Sequence, residues 1–244
     1  LPWSPNPAKV EVELTSACNL SCANCNRATS LAPDAGFIAA SQIDRFVGES
    51  LELGWRWERI GRTGGEPTLH PDLPGVVRLL ERYKRHHPSC EIAVVTNGHG
   101  HAVREALSRL PAWVIVKNSA KTGEALPFEP FNVAPIDRPD ARRMRFSRGC
   151  SFTEVCGLGL SRYGYYPCGP AAAVDRVFGR DLGIKALKDV CEERLRAQMS
   201  VLCGLCGHFL SSYGVPRTSR QETSSSWHAA LRRYEEKPPR LEPW

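Results

Sequence analysis

Residues 10–14, VEVEL, alternate apolar and acidic side chains, the period of a strand with one buried face. Further on, Ser41 is placed to cap a helix whose apolar positions Ile43, Phe46, Val47 and Leu51 fall at helical spacing. A short strand near 58–62 runs into Gly64 and Gly65. Asp72 then caps a second amphipathic helix carrying Leu73, Val76, Val77, Leu80 and Tyr83. The run IAVVT (92–96) reads as a buried strand stopped by Asn97-Gly98, with a helix over 102–110 behind it, and WVIV (113–116) as another strand. Strands alternating with helices imply parallel pairing through right-handed crossovers. Five or six such units are too few for a closed eight-unit barrel, so the pattern predicts a partial α/β barrel.

The alternation breaks after about residue 125. The proline-rich connector LPFEPFNVAPIDRPD leads to a candidate strand at 144–146. GLGLS and YYP then flank Arg-Tyr-Gly, a hairpin pattern with Gly164 in the turn. The last stretch mixes Ser, Arg and Pro around one possible helix, 227–236. This divides the chain into a barrel over 1–140, a cysteine-rich extension over 141–214 and a tail over 215–244.

Of the 244 residues 42% are hydrophobic and 24% charged, an ordinary globular composition. No apolar run reaches the length of a membrane span, and residues 1–10 lack the regions of a signal peptide, so a soluble cytoplasmic protein is expected. The net charge of +6 is spread over scattered basic residues such as RRMR (142–145) and LRRY (231–234), and nucleic acid is not indicated. Ten cysteines without a secretion signal point to metal rather than to disulfides.

The cysteines are clustered. CNLSCANC (18–25) puts Cys18, Cys22 and Cys25 on the loop after the first strand, where parallel α/β folds keep their chemistry. A structural zinc site or a plain electron-transfer cluster wants four ligands, so three leave one metal corner open. RTGGEP (62–67) and TNG (96–98) fall at the ends of the next two strands and converge on the same rim.

The spacing Cys18-x3-Cys22-x2-Cys25, taken with GGEP at 64–67, closely resembles the radical S-adenosylmethionine enzymes over about residues 10–120. The resemblance implies a 4Fe–4S cluster on the three thiolates, whose fourth iron is chelated by S-adenosylmethionine. It also implies reductive cleavage of that cofactor to a 5′-deoxyadenosyl radical. By position, Gly64 and Gly65 let the backbone approach the cofactor's methionine end, and Glu66 adds an acceptor or a fold contact. Thr96 and Asn97 match the strand end that meets the ribose. Lys117, Asn118 and Ser119, at the next strand end, are candidates for the cofactor carboxylate or the substrate. One departure stands out: Asn24 occupies the place before the third cysteine, where the family carries an aromatic or apolar residue beside the adenine.

In the second region, Cys203-x2-Cys206 has metal-knuckle spacing and Cys168 follows the hairpin. Cys150 or Cys156 completes four ligands, and the position of Cys156 directly before the hairpin strand favours it. The layout resembles the auxiliary-cluster extensions called SPASM and Twitch, a single-cluster Twitch fitting the length best, which implies a second 4Fe–4S cluster. The resulting expectation is a monomeric enzyme acting on a small polar substrate, carbohydrate-, aminocyclitol- or nucleoside-like, by oxidation or epimerisation. It would be served by a flavodoxin- or ferredoxin-type electron donor, without a membrane. No peptide-recognition domain precedes the barrel, so modification of a precursor peptide is the alternative. From another class, a non-catalytic zinc-stabilised binding module leaves the GGEP and TNG segments unexplained.

Overall fold

A computed structural model describes residues 3–121, 131–213 and 223–244. Residues 126–130 of the proline-rich connector and 215–222 of the tail lie outside the described residues. The first half follows the alternation: β1 (Lys9–Thr15), α1 (Ala40–Glu52), β2 (Arg59–Gly64), α2 (Leu73–His86), β3 (Glu91–Thr96), α3 (His101–Ser108) and β4 (Ile115–Asn118). Asp72 caps α2 by accepting from the Gly75 amide at 2.9 Å, and Lys84, Arg85 and His86 complement its C-terminal dipole. The first helix starts one residue before Ser41. Its reciprocal cap is Gln42, whose side chain accepts from the amide of Ala39 at 3.0 Å.

The second half comprises α4 (Ser151–Val155), β5 (Leu158–Ser161), β6 (Gly164–Tyr166), α5 (Gly169–Phe178), α6 (Glu192–Leu202), α7 (His208–Ser212) and α8 (Ser225–Glu236). The sheet order is β4-β3-β2-β1-β5-β6, with every neighbouring pair parallel except β5 and β6. The predicted hairpin is present, and Gly164 takes φ 121° in its turn. Its first strand pairs with β1, Val10 opposite Leu158, so the hairpin completes the barrel sheet rather than standing apart in the extension.

Two further expectations are corrected. The stretch 144–146 is no strand: Phe146–Arg148 form a 3₁₀ turn, and Met144 is drawn into the apolar cluster around Cys150 and Cys203. β4 begins at Ile115 rather than at 113 and lies exposed at the sheet edge.

On one face of the sheet Val10, Val12, Leu14, Ile60, Ile92, Val94, Leu158 and Leu160 pack against Ile43, Phe46, Val76, Leu80 and Tyr83. Burying a side chain such as Phe46 contributes roughly 2–3 kcal/mol. The alternate positions Glu11, Glu13 and Thr63 therefore face the barrel interior, Glu13 directly opposite Thr63 on the neighbouring strand.

A second core, including Phe131, Tyr166, Ala172, Val174, Leu205 and Trp227, surrounds α5. Arg176 on α5 is buried and reaches back to the loop after the cysteines. It donates to the carbonyls of Ala32 (2.8 Å) and Arg27 (3.1 Å) and to the Tyr234 hydroxyl (2.8 Å). Among the described residues no helix is long and apolar enough to cross a membrane.

Arg176→Met strands those acceptors in the interior. It is expected to destabilise the chain by about 3 kcal/mol, read from the urea midpoint under anaerobic conditions. A loss below about 1 kcal/mol would place the anchoring of this loop elsewhere.

Candidate active site

The end of β2 is bound edge-on to the start of the cysteine loop. The Gly65 amide donates to the Thr15 carbonyl and the Glu66 amide to the Ala17 carbonyl, both at 2.8 Å. Both glycines are needed for this approach. A Cβ on Gly64, which takes φ 137°, would lie 2.3 Å from the Thr15 oxygen, and one on Gly65 would lie 2.0 Å from the Ala17 oxygen and 3.0 Å from the Cys18 Cβ. The glycines thus admit the cysteine loop itself, a closer constraint than the cofactor approach expected from the resemblance.

Glu66 is fully buried and takes the fold-contact role. One carboxylate oxygen accepts from the Thr68 amide (3.2 Å), the Thr68 hydroxyl (2.7 Å) and the Thr96 hydroxyl (2.8 Å), and the other accepts from the Asn97 amide at 2.8 Å. These bonds lock the ends of β2 and β3 together. Asn97 then extends its side-chain amide to Asn19 Oδ1 at 2.8 Å, fixing the cysteine loop from the other side.

The result is a cavity of about 260 Å³ lined by Cys18, Cys22 and Cys25, by Gly64 and Gly65, and by Thr96, Asn97 and Ser119. Four predicted positions do not line it. Glu66 is spent on the strand ends, Lys117 is ion-paired with Glu91 at 2.5 Å, and the Asn118 side chain accepts from the Ala120 amide at 2.7 Å. Asn24 is buried with φ 54°, a left-handed conformation that Asn tolerates better than most residues, which accounts for its departure from the expected aromatic.

Glu11, an acidic position of the VEVEL alternation, lines the cavity, as do Lys121, Arg27, Thr29 and Thr63, which sequence reasoning missed. Glu11 was legible as part of the VEVEL alternation, and Arg27 as the second residue after Cys25. Lys121 carried no signal.

Each of the three sulfurs meets a polar partner. The Leu20 amide donates to Cys18 Sγ (3.4 Å) and the Asn97 amide stands 3.9 Å from it. The Lys121 ammonium is 3.7 Å from Cys22 Sγ, and the Thr29 hydroxyl 3.4 Å from Cys25 Sγ. Burial pushes the Cys18 thiol up, with Cys25, Glu66 and Cys22 adding to it and the Leu20 amide opposing. Three thiols around one open cavity, each near a donor or hydroxyl, form a donor set that fits an iron–sulfur cluster with a free corner.

Beneath the cysteines Arg27 and Glu11 form an ion pair at 2.5 Å. Burial alone would lower the Arg27 guanidinium, but Glu11 and, more weakly, Glu13 outweigh it and hold Arg27 well above its ordinary value.

Of the two cysteines left open as a fourth partner, the structure brings Cys150 to the other three. Cys150, Cys168, Cys203 and Cys206 line one small buried cavity with Phe152, Leu202, His208 and Phe209. Burial raises the thiols of Cys168, Cys203 and Cys206, and the negative charge of Cys150 raises all three further. Backbone amides oppose this rise. Those of Phe152 and Thr153 serve Cys150, that of Ala171 serves Cys168, and those of His208 and Phe209 serve Cys206, so three of the four sit where helix N-termini can stabilise thiolates.

Cys156, favoured by the sequence, lies instead beside Glu11 at the foot of the barrel, where burial and that carboxylate push its thiol up to about 12. Helix α4 separates the two cysteines, Cys150 directly preceding it and Cys156 directly following it, so they emerge at its opposite ends. Among the described residues no three His, Cys, Asp or Glu side chains are placed to hold a single metal ion. A cluster makes a different demand, since each thiolate then meets its own iron.

No family model matches the chain. Over 100 residues it is 37% identical to the GTP 3′,8-cyclase of Paenarthrobacter nicotinovorans, covering 40% of this chain and 27% of that protein. The probable GTP 3′,8-cyclase of Pyrococcus horikoshii is 33% identical over 89 residues, covering 36% of this chain and 26% of that protein. The chain therefore spans well under two thirds of the length of the curated relatives it matches. The crystal structure of BtrN in complex with AdoMet and 2-DOIA shares the fold, with a TM-score of 0.50 and 16% identity over 84% of this chain and 94% of that one.

Gly65→Val is expected to lower bound iron after anaerobic reconstitution as well as cofactor affinity, because its side chain meets the loop that carries Cys18. Normal iron content with lost affinity would return the glycine to a cofactor contact. In a chain carrying Cys18→Ala, Cys22→Ala and Cys25→Ala, adding Cys150→Ala should remove the remaining iron, while adding Cys156→Ala should leave it. The opposite result would overturn the assignment of the fourth ligand.

Proposed function

We propose that the chain is a radical S-adenosylmethionine enzyme that removes a hydrogen atom from a small polar substrate, leading to its oxidation or epimerisation. The observation that carries this reading is the convergence of three thiols and two strand ends on one cavity, in the order and spacing of that superfamily. With a 4Fe–4S cluster and S-adenosylmethionine bound, the chemistry supplied is one-electron cleavage of the sulfonium to methionine and a 5′-deoxyadenosyl radical, which abstracts the substrate hydrogen.

The protein's own part is binding and positioning. Cys18, Cys22 and Cys25 would each hold one iron and leave the fourth to the cofactor's amino and carboxylate groups. Lys121 lies where it offsets thiolate charge at Cys22. Thr96, Asn97 and Ser119 form a polar wall suited to ribose hydroxyls and a carboxylate. Glu66, spent on Thr68, Thr96 and Asn97, keeps that wall in register with the cysteine loop.

Cys150, Cys168, Cys203 and Cys206 would hold a second, auxiliary cluster of the Twitch kind, closed by four thiolates without the cofactor. A flavodoxin- or ferredoxin-type protein would supply the electron. GTP cyclisation is the activity of relatives of which this chain matches only 27% of the length, and it does not define the substrate proposed here.

Cys22→Ala should abolish 5′-deoxyadenosine formation in anaerobically reconstituted protein reduced with dithionite. The expected loss exceeds about a hundredfold, equivalent to roughly 2.7 kcal/mol in the barrier. Formation at the parental rate would refute the cluster assignment.

A further inference from the structure

The basic run RRMRFSR (142–148), which the chemistry above leaves unused, lies against the second group of cysteines. Arg142, Arg143, Arg145 and Arg148 are all exposed, and among the described residues none of the four has an ion pair. The nearby Arg138 and Arg196, by contrast, are tied to Asp140 and Glu192. The apolar side chains of the run turn inward. Met144 and Phe146 pack on the cluster of Cys150, Met199, Cys203 and Phe209. The Phe146 ring meets that of Phe209 edge-on at 5.2 Å, and Phe209 lines the cavity of the four thiols. Arg148 lies 6.0 Å from the centre of the Tyr213 ring, whose hydroxyl donates to the Gly149 carbonyl at 3.0 Å, one residue before Cys150.

Beside this run the wall over the thiols is thin. A Cβ on Gly204 would lie 3.0 Å from the Phe146 ring and 3.1 Å from Ile136 Cγ2, and Ile136 is 42% exposed. Gly204 belongs to the turn that carries Cys203 and leads to Cys206. One apolar layer therefore separates that turn from solvent, with four unspent guanidinium groups on the segment that supplies it. Electron tunnelling falls off exponentially with distance, so a protein that exchanges electrons with a metal site has to sit where the wall is thinnest. None of these residues lines the first cavity, so a partner seated here leaves that cavity to substrate and cofactor.

The chemistry of the partner follows from charge and from the apolar layer. A nucleic acid asks for a basic stripe that tracks its phosphates, and these arginines form one short cluster. A second copy of this chain carries the same sign, +6 overall. An acidic protein meets both features, opposite charge for the arginines and an apolar contact for Ile136 and Phe146. Oxidation of a substrate radical releases one proton and one electron, and that electron needs an outlet. We propose that Arg142, Arg143, Arg145 and Arg148, with Ile136 and Phe146, form the docking surface for an acidic one-electron carrier protein. The carrier takes one electron from the cluster on Cys150, Cys168, Cys203 and Cys206. With a flavin carrier, that electron and one proton from solvent turn the oxidised flavin into its semiquinone, and no bond in this chain changes. This rests on the function proposed above and favours its oxidation branch, since epimerisation releases no electron.

The test uses the full-length, anaerobically reconstituted protein and a bacterial flavodoxin, an acidic carrier, as the probe. Binding of oxidised flavodoxin, followed by calorimetry, should weaken about tenfold between about 50 and 200 mM salt. Arg142→Glu combined with Arg145→Glu should weaken it by about tenfold or more at the lower salt. Arg78→Glu combined with Arg104→Glu, an equal charge change on exposed positions of α2 and α3, should leave it within about twofold. A chain carrying Cys18→Ala, Cys22→Ala and Cys25→Ala, reduced with titanium(III) citrate and freed of excess reductant, should convert flavodoxin to its semiquinone. Stopped-flow absorbance should show that transfer slowed about tenfold by the Arg142 and Arg145 reversals, at parental iron content. No binding, equal losses from the two pairs of reversals, a transfer rate indifferent to Arg142 and Arg145, or tighter binding of a single-stranded RNA than of flavodoxin would overturn the proposal. Dithionite-driven 5′-deoxyadenosine formation, which needs no protein carrier, should be unchanged by the Arg142 and Arg145 reversals and reports the parent function. Iron in the triple variant reports the second cluster, so failure of either parent reading is seen apart from failure of the docking surface.

Discussion

The site depends on one buried carboxylate. Glu66 is fully enclosed and accepts four hydrogen bonds from Thr68, Thr96 and Asn97. Hydrogen bonds to a charged acceptor contribute roughly 1.5–3 kcal/mol each, which is how a buried charge of this kind is tolerated. The geometry it enforces matters more than the energy. It joins the end of β2 to the end of β3, and its own amide, with that of Gly65, grips the cysteine loop. Three of the chain segments that line the cavity, the cysteine loop and the ends of β2 and β3, are therefore held by one residue and its neighbours.

That arrangement also shows which parts of the molecule the amino-acid pattern makes legible. Period-two and period-3.6 hydrophobicity, Asp72 as a cap and the hairpin around Gly164 are local features, and local features survive folding with little revision. So does Cys18-x3-Cys22-x2-Cys25, since three ligands within eight residues need only a loop to bring them together.

What stayed hidden is non-local. β5 joins the barrel through pairing with β1, some 150 positions earlier in the chain, and nothing in GLGLS marks that partner. The helix α5, buried on nearly every side, shows no polar face for a periodicity argument to find. Cys150 and Cys156 both precede the hairpin at a spacing that could reach Cys168, and only the short helix α4 between them, which the sequence did not announce, sends them to different places. Glu66 could be read from the sequence only as an acceptor or a fold contact, without its partners. Its actual role depends on Thr96 and Asn97, which lie thirty residues further along.

The two cysteine groups share a wall. Arg27 lies two residues after Cys25, and Gly169 directly follows Cys168. A Cβ on Gly169 would lie 1.9 Å from the Arg27 guanidinium and 2.6 Å from the Glu11 carboxylate. The chain that carries Cys168 therefore runs in contact with the ion pair flooring the first cavity, and only a glycine permits it. Arg176, from the same helix as Gly169, holds the carbonyls of Arg27 and Ala32. A displacement of α5 would thus be felt at the ion pair through Gly169 and at the loop behind Cys25 through Arg176. The C-terminal half is mechanically part of the barrel site, with the Arg27–Glu11 pair as the partition between the two thiol groups.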